Sequence, residues 1–134
     1  MAKCFEDLDA WKLAERLKEE VFNFTSKPPA CKDFNYCDQV RDSARSAMRN
    51  IAEGFGRYYP SASLPFYFIA RGSLNETFNH LIDARKREFL TEEAFVELRR
   101  LNFRAIKALS RLINYLEGPG GQRFNRRPAP SRRS

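Results

Sequence analysis

Residues 50–57, NIAEGFGR, place Gly-x-Gly beside an arginine, a combination of pliant backbone and cation that could cradle a phosphate. A phosphate loop works by presenting an anion to a helix N-terminus, where unpaired amides and the positive end of the dipole converge. Here the glycines end a long apolar-periodic segment, so the dipole has the wrong sign. Gly56 is therefore expected to be the left-handed residue just past a helix. Gly54 lies inside that helix at a cost of about 1 kcal/mol relative to alanine, which calls for a packing reason: another helix coming close. Glu53 and Arg57, four residues apart, read as an intrahelical ion pair of about 0.3 kcal/mol.

Other residues with chemical potential are scattered. Glu19-Glu20 and Glu92-Glu93 fit a solvated face and a helix start, and neither belongs to the Glu-x-x-His pattern of di-metal bundles. His80, the single histidine, stands alone on its helix, and a surface or hydrogen-bonded role is the plainer reading. Ser43, Ser46 and Ser73 have no histidine or lysine at a motif spacing. Cys4, Cys31 and Cys37 show no Cys-x-x-Cys spacing, and a four-ligand zinc site would consume all three with His80. The expectation is no catalytic residue, no metal and no cofactor, hence no enzyme.

Basic patterning is the positive signal. Arg100, Arg104, Lys107 and Arg111 fall within about a 60° sector of one helix, opposite its apolar stripe, and form a ridge suited to phosphate contact. Arg41, Arg45 and Arg49 make a second row over about 80°, partly neutralised by Asp38 and Asp42 at i to i+3 and i+4 spacing. The bland reading of both is an ordinary solvated face.

The elements that must carry these rows are four helical segments. The first covers residues 7–25, with Ala10, Leu13, Ala14, Leu17, Val21 and Phe24 on one stripe, and stops before Pro28-Pro29. The second covers residues 33–55, with Cys37, Val40, Ala44, Ala47, Met48, Ile51 and Phe55 aligned. A third starts near Ser61 as cap, with Pro65 still in the first turn, and aligns Phe66, Ile69, Ala70, Ser73, Leu74, Thr77, Leu81 and Ala84. The fourth is capped by Thr91 and followed by Glu92 and Glu93; Phe95, Leu98, Ala105, Leu109, Leu112 and Leu116 align until Gly118-Pro119-Gly120-Gly121. No run reads as a strand. Long helices joined by short loops predict an all-α, antiparallel up-down-up-down four-helix bundle.

At 134 residues and 43% hydrophobic, the chain suits one domain over residues 1–117. Its net charge of +7 is mostly a tail: residues 118–134 hold Arg123, Arg126, Arg127, Arg132 and Arg133 and no acid. Too poor in apolar area to offset its ordering entropy, this tail is expected to be disordered, and it reads equally as a natural polyanion contact or as a solubilising tail with no partner. With no signal-like or membrane-spanning apolar run, the expected setting is cytoplasmic, without a membrane partner. Phe66-Tyr67-Phe68 cannot all face one core, and Trp11, Phe22 and Phe103 lie off their stripes, so a homo-oligomer is expected, with partly exposed aromatics on a monomer as the bland reading.

FEDLDAWKLA at residues 5–14, NIAEGFGR at 50–57 and FIARGSLNE at 68–76 together resemble the bundle proteins encoded in intervening sequences of bacterial 23S ribosomal RNA genes. The resemblance spans roughly residues 4–117 and implies a left-handed four-helix bundle assembled as a ring-like homopentamer, with nucleic-acid binding as its suspected role. A related group, the accessory variability proteins of diversity-generating retroelements, implies an adaptor for a reverse transcriptase and its template RNA. The matching positions make Glu53, Gly54, Gly56 and Arg57 the signature closing the second helix, and Arg71 and Gly72, with Ser73 and Leu74, that of the third. Ala47-Met48-Arg49 stands where a typical member has Ile-Pro-Ser, which implies a straighter second helix and an added charge beside the signature.

Overall fold

The computed structural model describes residues 5, 8–119 and 121. Cys4 and the tail arginines Arg123, Arg126, Arg127, Arg132 and Arg133 lie outside them. Four helices form: α1 (Asp9–Thr25), α2 (Phe34–Phe55), α3 (Pro60–Lys86) and α4 (Glu92–Glu117), with one 3-10 turn at Ala30–Lys32. Each helix packs against its chain neighbours, and α1 closes the ring against α4. From Gly54–Tyr67 through Ser46–Ser73 and Ser43–Thr77 to Tyr36–His80, numbers fall along α2 as they rise along α3. The same reversal relates α3 to α4 through Arg71–Ser110 and Phe78–Phe103. The fold is an antiparallel four-helix bundle, all-α among the described residues.

The core follows the periodic stripes. Leu17, Val21, Val40, Ile51, Leu74, Leu81, Phe95, Leu109 and Ile113 are fully buried, each contributing about 1.5–3 kcal/mol of transfer free energy. Small residues set the α2–α3 spacing. The Ser43 and Thr77 hydroxyls meet at 2.8 Å, as do those of Ser46 and Ser73, so the polar groups along this seam satisfy one another. Asn102, fully buried on α4, donates to the Leu74 carbonyl of α3 at 3.0 Å.

Helix starts follow the cap chemistry at two of the four sites. Asp33 accepts from the Tyr36 amide at 3.0 Å, and Thr91 accepts from the Ala94 amide at 3.1 Å. The third start differs from the Ser61 expectation: Tyr59 holds the N-cap position without a side-chain bond and Pro60 is the first helical residue. Proline's fixed φ and missing donor make it the better opener, which moves Ser61 inside the helix. Pro65 then lies within α3 beyond its first turn, where the buried Ser63, Tyr67 and Ala70 on either side hold the helix through it.

Two other expectations are corrected. Gly56 has φ −72° and ψ −7°, an ordinary right-handed conformation, because α2 ends by tightening its last bonds. The amides of Gly56 and Arg57 donate to Ala52 and Gly54 at 3.2 Å. The left-handed residue is instead Glu88, φ 59°, at the end of α3. There Phe89 donates to the Ala84 carbonyl at 2.8 Å and Glu88 to that of Arg85 at 3.1 Å, the paired bonds of a Schellman turn. On α3 itself, Tyr67 is buried while Ile69 is 53% exposed and Phe66 half-buried, a rotation of the expected stripe. Its cause is Gly54, whose missing side chain leaves room for the Tyr67 ring.

Candidate nucleic-acid interface

The fourth-helix ridge does not stand alone. Because α1 and α4 run antiparallel, Lys12 and Arg16 of α1 come alongside Arg104, Lys107 and Arg111 of α4, lining a groove of about 560 Å³ with Leu13 and Asp9. Five cations face one carboxylate there. Among the described residues none of these five is in an ion pair, so their charge is directed to solvent. Arg100, at the far end of the ridge, is the exception, 3.7 Å from Glu97, though both remain exposed. Lys12 and Arg16 were not singled out from the sequence. Their i, i+4 spacing was the available signal, but only helix pairing shows that it faces the ridge.

The second row behaves differently. Arg41 donates from Nε to Thr25 Oγ1 at 2.8 Å and from a terminal nitrogen to Ser26 Oγ at 3.3 Å, and its guanidinium lies 4.7 Å from the Phe22 ring centroid. Arg45 reaches the same ring at 5.4 Å. The row thus fastens α2 to α1, and Phe22, off its own stripe, is the surface it covers. Among the described residues Asp38 and Asp42 make no ion pair with it, contrary to the expected neutralisation, since Arg41 is drawn toward Thr25. Arg49 is exposed. The row meets α1 at Phe22, whereas the ridge meets it at Lys12 and Arg16.

The cluster richest in titratable groups joins the start of α2 to the end of α3. Arg87 hydrogen-bonds Asp33, sits 3.5 Å from Asp83, and stacks on Tyr36 at 5.4 Å and Phe89 at 4.3 Å. The bond from Arg87 holds the Asp33 carboxyl below its ordinary range, and the same contact raises the guanidinium. Burial pushes the Tyr36 hydroxyl up, and that hydroxyl donates to the His80 carbonyl at 2.7 Å. His80 is half-buried and places its ring edge-on to Tyr36, with Nε2 buried and without a partner among the described residues. Asp33, kept ionised by the Arg87 guanidinium, is part of a clasp between helices, not a general acid poised near neutrality. Among the described residues no three His, Cys, Asp or Glu side chains are grouped to hold a metal ion, and no helix is long and apolar enough to cross a membrane.

The family model described as 23S rRNA-intervening sequence protein matches residues 6–111, nearly all of the bundle. The chain belongs to that family. Among solved structures, a protein of unknown function from the S23 ribosomal protein family of Bacteroides thetaiotaomicron VPI-5482 is similar at 20% identity and a TM-score of 0.71. The match covers 78% of this chain and 97% of that one, and it shows a shared fold. No curated protein matches the chain. Neither description indicates an enzyme family.

The signature positions of this family are structural joints here. An added Cβ at Gly54 would stand 2.6 Å from the Tyr67 ring, so this glycine on α2 makes room for a buried ring from α3. Arg57 pairs with Glu53 at 3.6 Å and caps the Phe66 ring at 4.7 Å, tying the end of α2 to the start of α3. Arg71 donates to Ser110 Oγ at 3.3 Å, from α3 to α4. Gly72 differs: a Cβ there would meet nothing within 4 Å.

Proposed function

We propose that this member of the family is a non-enzymatic, nucleic-acid-binding oligomeric scaffold with RNA as preferred ligand. The observation that carries the proposal is the α1–α4 groove, where Lys12, Arg16, Arg104, Lys107 and Arg111 face solvent against the single acid Asp9. Such a surface meets the phosphate backbone and carries little base information. Outside the groove, the exposed Arg49 of α2 and the tail arginines Arg123, Arg126 and Arg127 would supply further phosphate contacts. Assembly rests on a second surface: Pro65, Phe68, Ile69 and Gly72 share one exposed side of α3 at i, i+3, i+4, i+7 spacing. A ring of copies, a homopentamer by family resemblance, would multiply the modest charge of one subunit.

The test is fluorescence anisotropy with labelled RNA across a salt series. We expect log Kobs to fall linearly with log salt, by about 0.7 per phosphate contact on a single strand. Changing Arg104, Lys107 and Arg111 together to Gln should flatten the slope by about 2. A chain ending at Glu117 measures the share of the tail. Salt-independent binding, or none at low salt, would overturn the proposal. The second reading, an adaptor for a reverse transcriptase with RNA contact secondary, draws on the exposed apolar side chains Phe34, at the start of α2, and Tyr115, one turn beyond Arg111 on α4. Co-purification of a polymerase that survives the triple Gln change would favour it.

A further inference from the structure

At four partly exposed rings of this protein a guanidinium lies over the aromatic face. Arg41 and Arg45 lie over Phe22, Arg57 over Phe66, Arg71 over Phe68 and Arg87 over Phe89. Phe103 is different. It is 49% exposed and lines a hollow of about 370 Å³ with Arg99, Arg100, Arg104 and Lys107, yet among the described residues none of these four cations lies over its ring. Phe78 holds the ring from the α3 side, at 4.9 Å between centroids and a 58° tilt, so its orientation is set.

The hollow also continues into the basic groove, since Arg104 and Lys107 line both. From Arg100 to Arg111 the track rises about 16 Å along the helix, at 1.5 Å per residue. An uncovered aromatic face at the edge of a cationic track is the combination by which proteins hold unpaired nucleotides: phosphates follow the charges while a base stacks on the ring. Bases in a duplex are stacked on one another and present no free face to it.

We infer that Phe103 is a base-stacking platform and that the α1–α4 groove selects single-stranded nucleic acid over duplex. The inference rests on the nucleic-acid reading above and adds the ligand class. Stacking requires only a π-face, so sequence discrimination should be weak.

Anisotropy with one twelve-nucleotide sequence, as single-stranded RNA, single-stranded DNA and DNA duplex, tests it in the full chain at fixed salt. The single strands should bind more tightly than the duplex. Phe103→Ala should weaken single-strand binding roughly 5- to 100-fold while leaving the duplex affinity and the salt slope unchanged, and Phe103→Trp should retain binding. Equal losses on RNA and DNA assign the site to any single strand, and a loss confined to RNA assigns it to RNA. Unchanged single-strand binding in Phe103→Ala, or an equal loss on single strand and duplex, overturns the inference. Sedimentation of the same variant completes the test: binding lost together with subunit assembly would make Phe103 an interface residue and also overturn it. Wild-type protein that binds none of the three probes at low salt removes the underlying nucleic-acid reading instead, a distinguishable failure.

Discussion

A methyl group at Gly54 would press on three atoms of the Tyr67 ring, at 2.6 to 2.9 Å. Gly54→Ala gains about 1 kcal/mol of helix propensity but overpacks a buried aromatic at a cost of about 1–3 kcal/mol. We expect a net loss of about 1 kcal/mol in urea unfolding, recovered when Tyr67 is shortened to Leu in a double-mutant cycle. A neutral single substitution would mean that the ring moves freely. Tyr67 also makes stability depend on alkaline pH. Burial pushes its hydroxyl from 10.0 up to about 12, so above pH 10 the unfolded chain loses that proton while the folded chain keeps it. Stability therefore falls as pH rises from 10 toward 12, and the raised Tyr36 adds a slope of the same sign. Urea midpoints at pH 9 and pH 11 should differ less in Tyr67→Phe than in the parent.

At the scale of elements, α3 ends in a turn whose left-handed position is filled by an acidic side chain instead of glycine. Glu88 at φ 59° carries a steric cost of about 1–2 kcal/mol. Glycine removes that cost and restores some unfolded-state freedom. The expected net effect of Glu88→Gly is a gain of about 0.5–1 kcal/mol, read as a higher Tm; a lower Tm would show that the Glu88 side chain contributes more than its backbone costs. How much of this was legible beforehand varied with the range of the interaction. Thr91 and the apolar stripes act within one helix, so their spacing announced them. The exchange of Phe66 and Ile69 for Tyr67 depends on a glycine in another helix, and neither local periodicity nor propensity contains that term. Pro60, whose fixed φ opens α3, is by contrast a local signal, and a stronger one than the Ser61 hydroxyl.

At the scale of the whole molecule, a basic groove lies between the first half of α1 and the second half of α4, and an apolar strip runs along the first half of α3. Phe68 is 41% and Ile69 53% exposed, and Gly72 between the strip and open solvent is a helix glycine with no packing reason inside the subunit. If copies meet there, Phe68→Glu with Ile69→Glu should convert the assembly to a monomer in sedimentation velocity while the helical signal persists. A parent chain already monomeric at micromolar concentration would overturn the assembly. The candidate groove was half legible: Arg100, Arg104, Lys107 and Arg111 are one helix face by arithmetic, but Lys12 and Arg16 join them only because α1 returns antiparallel beside α4.

The order of residues alone determined what acts over a few positions: the four helices, two of their caps, most of the core stripe and the single-sided basic ridge. These rest on a 3.6-residue period and on bonds closing within one turn. The three-dimensional packing decided what joins distant segments. It placed Tyr67 against Gly54, spent Arg41 and Arg45 on Phe22, and set Lys12 and Arg16 across from Arg104 and Lys107 while leaving Phe103 uncovered. The reason is physical: a charge or ring has a role only relative to what faces it, and for each of these groups the facing residue lies on a different helix.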